Sequence, residues 1–204
     1  MCDNLIPNLP KSAANAPPIA HELSQCRRCA GEFGFTPRPI VRLCASAPIL
    51  IISQAPGARA HRSGIPFDDP SGVRLRDWMG LRADRFFAPG TLSIAPMGFC
   101  FPGNDANGGD LRPPRRCHEI WHGKVLEELS GVLLTLVIGA MAQSHILGRS
   151  DPMTTIVRDW QTYAPTLFPL PHPSWRNSAW LKRNPWFEAE TIPALRARVS
   201  EVLN

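Results

Sequence analysis

Residues 47–72 read APILIISQAPGARAHRSGIPFDDPSG, and the arrangement of the rest of the chain follows from this stretch. It opens on Pro48 and an apolar run, Ile49 to Ile52, with the length and β-branched content of a strand buried on both faces. The run stops at Ser53-Gln54-Ala55-Pro56-Gly57, a turn sequence. A long polar loop follows, with cations at Arg59 and Arg62, His61 between them, and the acidic pair Asp68-Asp69 after Pro66-Phe67. Ser71 is then placed to cap a helix whose apolar positions include Leu75, Trp78 and Met79. Strand, loop, helix in that order places chemistry at the carboxyl end of a parallel strand.

A chain of 204 residues with 44% apolar content fits one domain with a sizeable core. Residues 1–20, rich in Pro, Asn and Ala without periodicity, read as a disordered tail, and residues 21–204 as a single domain. The formal net charge is +5, and the cations are nearly all Arg, a side chain suited to phosphate contact. The longest apolar stretch, residues 132–142, is too short to span a bilayer, and the N-terminus lacks the pattern of a signal peptide. The expectation is a soluble, cytoplasmic monomer without membrane contact.

Along the chain, a short helix is expected around residues 21–29 and an edge strand at 40–43. A second strand is expected at 91–95, followed by Pro96-Met97-Gly98-Phe99-Cys100 and a polar loop containing Asn104, Asp105, Asn107 and Asp110. Pro113-Pro114 starts a helix over 115–129, with Ile120, Val125, Leu126 and Leu129 as its apolar face. Residues 132–138 form the clearest buried strand, and Gly139 turns it into a helix ending near Leu147. A short helix at 153–160, a last strand at 166–170 and a final helix over 185–203, kinked or broken at Pro193, complete the chain. Four strands alternating with helices specify an α/β fold, a three-layer α/β/α sandwich around a short, mainly parallel four-stranded sheet.

Six cysteines in a reducing compartment do not suggest a disulfide framework. Cys26 and Cys29 form a CxxC pair, and Cys100 and Cys117 follow in the middle of the chain. Thiolates at these positions can hold zinc or an iron–sulfur cluster, or the four can remain unligated as small buried groups. Cys2 and Cys44 fall outside the pattern.

Ser53-Gln54-Ala55-Pro56-Gly57 resembles the first motif of the uracil-DNA glycosylase superfamily, a Gln, Glu or Asn before a short Pro-containing turn. Pro66-Phe67 stands where that superfamily carries a Phe that stacks on the extruded base, and His172-Pro173-Ser174-Trp175-Arg176-Asn177 is similar to its second, His-Pro-Ser motif. The likeness spans roughly residues 22 to 200. It implies hydrolysis of the N-glycosidic bond of uracil, or a related deaminated base, in DNA. In this reading His172 donates to the departing base, Phe67 stacks on it, and Gln54, Ala55 and Gly57 bind its edge. Ser174, Arg176 and Asn177 then contact the substrate's phosphates. The iron–sulfur branch has a similar cysteine pattern, which implies a [4Fe-4S] cluster on Cys26, Cys29, Cys100 and Cys117, with zinc as the alternative.

The chain departs from the best-known pattern in three places. Ala55 stands where an Asp positions the attacking water, Gln54 stands where the iron–sulfur branch has Glu, and Ala95 and Pro96 stand where several branches carry a uracil-reading Asn. Asp68 or Asp69 can supply the water-activating carboxylate, with Asp69 preferred for its spacing; either can equally cap the following helix. Loss of the motif-one acid also allows a non-catalytic binder of damaged or single-stranded DNA on the same fold. A third pattern, His118-Glu119-Ile120-Trp121-His122, matches the HExxH of zinc peptidases. No Glu lies between Glu128 and Glu188 to complete it, and Val125 occupies the Gly position of its extended form.

Overall fold

The structure is a computed structural model, and it describes residues 16–106 and 108–204. The first half of the chain contributes α1 (Pro18–Ser24), β1 (Ile49–Ile52), α2 (Ala58–Ser63), α3 (Pro70–Met79), α4 (Ala83–Phe86) and β2 (Leu92–Ile94). The second contributes α5 (Arg115–Glu127), β3 (Leu134–Ile138), α6 (Ala140–Leu147), α7 (Met153–Arg158), β4 (Leu167–Leu170), α8 (Ser178–Arg183) and α9 (Ile192–Leu203). The four strands make one sheet in the order β2-β1-β3-β4, and every pairing is parallel.

Alternation along the strands divides the core in two. Ile49 and Ile51 of β1, with Leu134, Leu136 and Ile138 of β3, pack on one face against Leu75 and Trp78 of α3, Val157 of α7 and Leu195 and Val199 of α9. Leu50, Ile52 and Val137 face the other way, against Leu23 of α1, Trp121 and Val125 of α5 and Ala142 of α6. Helices therefore cover both faces, and the three-layer sandwich read from the sequence is the observed architecture. No helix among the described residues is long and apolar enough to cross a membrane.

Several local expectations are corrected. The first helix starts at Pro18, within the segment assigned to the tail, and ends before Cys26; both thiols of the CxxC pair lie after it, Cys29 in a turn. Residues 1–15 of that tail lie outside the described residues. Residues 40–43 do not form a strand: Arg42 makes an isolated antiparallel bridge to Ile94, and Pro39 one to Cys100. Residues 58–63, expected in a loop, form α2, closed by Gly64 at φ 78°. Helix α3 is capped by Asp69 rather than Ser71, because Pro70 occupies the first helical position and needs no N–H partner there. On α5, Leu126 is 39% exposed while Trp121 is 3% exposed, so the inward face is rotated toward Trp121. The final helix is interrupted as Pro193 requires: a π-helical turn, Phe187–Thr191, precedes α9, and Pro193 lies in the first turn of α9.

Candidate active site

Strands β1 and β4 both pair with β3, on opposite sides, and the chain leaves both at the same edge of the sheet. The turn after β1 is fixed by the backbone beyond β2. The Met97 N–H donates to the Ser53 carbonyl (2.8 Å) and the Gly98 N–H to the Gln54 carbonyl (2.9 Å). These bonds prolong the β1–β2 ladder past the ends of the strands and hold the Ser53–Gly57 turn. After β4, the Gly139 N–H donates to the Leu170 carbonyl (2.9 Å), which leaves Pro171-His172-Pro173 to turn over the end of β3. Gly139 itself has φ +84°, and a Cβ there would lie 3.7 Å from the His172 Cβ.

One cleft receives both turns. Gln54, Ala55 and Gly57 line it from the first turn, Phe67 and Asp69 from the α2–α3 segment, and His172, Ser174 and Arg176 from the second turn. Asp68 and Asn177 do not line it. Asp68 is partly buried beside Arg76, and Asn177 donates from Nδ2 to the His172 carbonyl (2.7 Å), fixing the turn from behind.

His172 is held in one tautomer. The Ser174 backbone N–H points at its Nδ1 (3.2 Å), so Nδ1 accepts and the ring proton resides on Nε2. Burial pushes the imidazole below its ordinary pKa of 6.5; the Asp69 and Asp110 carboxylates pull it up, and Arg176 pushes it further down. The ring is thus a neutral donor in the cleft. Arg74 of α3 ties the second turn to the opposite wall, donating to the Ser174 carbonyl (2.9 Å).

Phe67 is the one described non-glycine residue with positive φ, 58°, a strained conformation that its surroundings impose. Gly72 is part of the constraint, since a Cβ on it would fall 1.8 Å from the Phe67 carbonyl oxygen. The Gly72 N–H instead donates to Asp69 Oδ1 (2.8 Å). Asp69 therefore both caps α3 and faces the cleft.

The cleft also includes residues that the sequence reading did not single out for the site, Arg74 and Asp110 among them. Pro96 lines it from the end of β2, and Asp110 from the 104–110 loop. Asp110 stood in a loop recognised only as polar, and nothing in the local sequence signals that the loop folds back over the first turn. His122 of the HExxH pattern points inward, with its Nε2 2.8 Å from the Pro96 carbonyl. Among the described residues, no three His, Cys, Asp or Glu groups are placed to hold a single metal ion.

The four spaced cysteines nevertheless meet. Cys26, Cys29, Cys100 and Cys117 line one cavity walled by Leu23, Phe99 and Trp121. Burial, reinforced by the neighbouring thiolates, pushes Cys100 up to about 12. Burial likewise pushes Cys117 up to about 11, against the Phe99 N–H that donates to its sulfur at 3.4 Å. Four thiols around one cavity are a donor set of the kind that holds zinc or an iron–sulfur cluster. The cavity adjoins the first turn: Phe99 and Cys100 directly follow Gly98, which bonds the Gln54 carbonyl.

Because the folded pKa of His172 lies below 6.5, the unfolded chain binds a proton there before the folded chain does. Its contribution to stability is present above 6.5 and is lost as the pH falls through the folded pKa. On acidification below 6.5 the wild type is expected to lose more unfolding free energy than His172→Gln, measured by denaturant titration at each pH.

The model of the uracil DNA glycosylase superfamily matches residues 41–196. That span contains β1 through β4, both turns and the cleft between them. With two strand-end motifs meeting at one cleft and a family match across most of its length, the chain belongs to the uracil DNA glycosylase superfamily.

Proposed function

We propose that the protein removes uracil, or a related deaminated base, from DNA by hydrolysing its N-glycosidic bond and leaving an abasic site. Membership of the superfamily carries a glycosylase-type role in DNA repair. The observation that supports the finer reading is the neutral His172, its Nε2–H available in the cleft that Phe67 and the Gln54 turn also line.

A base inside a duplex is out of reach, so the nucleotide must swing into the cleft. Phe67 offers an aromatic face for stacking, and its strained backbone is held by α3 rather than by the ligand. The Gln54 turn provides polar groups for the base edge. As the C1′–N1 bond lengthens, negative charge moves onto the base oxygens and positive charge onto the sugar. The His172 Nε2–H stabilises the first without transferring its proton. Asp69, with Oδ2 left over from its capping role, is placed to stabilise the second. Arg59, Arg74 and Arg176 line the cleft and supply the cations a phosphodiester backbone needs.

In the same reading Cys26, Cys29, Cys100 and Cys117 hold a [4Fe-4S] cluster. Its contribution is structural, a tie between the turns after α1 and the segment that pins the first motif. The alternative of a binder without turnover draws on Ala55 and on the capping role that already accounts for Asp69.

Incubating a uracil-containing single-stranded oligonucleotide with the protein and then with alkali is expected to give strand scission, and His172→Ala is expected to lower the rate by about 10²–10³-fold. DNA binding without scission on single- and double-stranded substrates would favour the non-catalytic binder instead. Protein purified without oxygen is expected to be brown with about four irons per chain, and Cys117→Ser to lose colour and thermal stability together. A colourless protein with one zinc would favour the zinc alternative.

A further inference from the structure

The first turn carries Ala55 where an acid would hold water, and a different carboxylate stands over that turn. Asp110 lines the cleft, and its Oδ2 lies 3.6 Å from the position a Cβ on Gly57 would take. Its other oxygen, Oδ1, accepts from Asn104 Nδ2 (3.0 Å), and Asn104 and Asp110 pair as an antiparallel bridge closing the 104–110 loop. The Leu111 N–H adds a bond to the Gly103 carbonyl (2.9 Å) at the base of that loop. From the opposite wall, Arg176 donates to the Gly108 carbonyl (3.1 Å), so the second motif clasps the loop across the cleft. The carboxylate is thus anchored through one oxygen and carried, over the first turn, on a loop that the second motif holds.

Asp69 is the competing carboxylate. Its Oδ1 is occupied by the Gly72 N–H at the start of α3, and its negative charge complements that helix terminus. Accepting a proton would weaken the cap and loosen the segment that strains Phe67. Asp110 has no such duty: its anchoring bond comes from a neutral side-chain amide, and among the described residues Oδ2 accepts no hydrogen bond.

We propose that Asp110 is the catalytic residue that binds and deprotonates the attacking water, supplying from the 104–110 loop the carboxylate that the first motif lacks, while Asp69 acts by position and charge. The proposal rests on the glycosylase reading above. In the step it describes, the water oxygen bonds to C1′ as the C1′–N1 bond breaks, and the bonding pair leaves with N1. The water proton passes to Asp110 Oδ2. The products are a C1′ hydroxyl and a base anion held by the His172 Nε2–H.

The test compares single-turnover excision by the wild type, Asp110→Asn and Asp69→Asn, alongside affinity for DNA containing the non-cleavable 2′-fluoro-2′-deoxyuridine. Asn at 110 keeps an oxygen for Asn104, so the loop bond survives the substitution. Asp110→Asn is expected to slow excision by about 10²–10⁴-fold with its affinity for the analogue within about twofold of wild type. An Asp110→Asn protein within about tenfold of the wild-type rate would overturn the proposal while leaving the glycosylase reading intact. So would a rate loss matched by an equal loss of affinity, which would mark a binding role. A wild type that excises no base would overturn the glycosylase reading and this proposal with it.

Discussion

The parallel ladder through β3 is the constraint on which the site depends. Because β1 and β4 each pair with β3, the turns that leave them are separated by one intervening strand, about 10 Å. That gap has the scale of a single flat ring system with its hydrogen-bonding groups on either side. Gly139 follows β3 between the two turns, and its φ of +84° is a left-handed conformation that favours glycine, with His172 packed next to it. The buried isoleucines and leucines that set the sheet register thereby also set the distance between the Gln54 turn and the imidazole.

Helix α3 does the second part of the positioning. Its N-terminus holds Asp69, its Gly72 admits the Phe67 carbonyl, and its Arg74 reaches the Ser174 carbonyl. One helix therefore fixes an aromatic face, a carboxylate and the second turn relative to one another. On the other side, the segment following β2 bonds the Ser53 and Gln54 carbonyls and then enters the four-cysteine cavity. Any group bound by those thiols would stiffen the first turn through Gly98 and Phe99 without touching substrate.

What could be read from the sequence is what depends on short-range pattern. The continuous apolar runs at Ile49–Ile52 and Leu134–Ile138 identify buried parallel strands, and the Pro-containing turns that follow β1 and β4 mark where the chain leaves the sheet. Helix α2 was missed because Ala58–Ser63 is too short and polar to show an apolar stripe. Of the face expected for α5, Val125 and Leu129 are buried and Ile120 packs against the core. Leu126 and Trp121, five residues apart and so about 140° apart round the helix, flank Val125 and Leu129 on either side, and only packing against α1 and the sheet selects Trp121. Arg42 bridges Ile94 and Pro39 bridges Cys100, three positions apart on one segment and six on the other, so the two bridges do not join into one ladder. Asp110 depends on the fold of its loop and on Arg176, 68 positions away from Gly108, and no local pattern encodes that contact.

The sheet delivers a neutral His172, protonated on Nε2, to the cleft. Nitrogen-15 NMR of the histidine ring, assigned by difference with His172→Gln, tests it directly at neutral pH. The expected spectrum is that of a neutral ring with a protonated Nε2 and an unprotonated Nδ1, the Ser174 N–H remaining the partner of Nδ1. An imidazolium, or a neutral ring protonated on Nδ1, would contradict it.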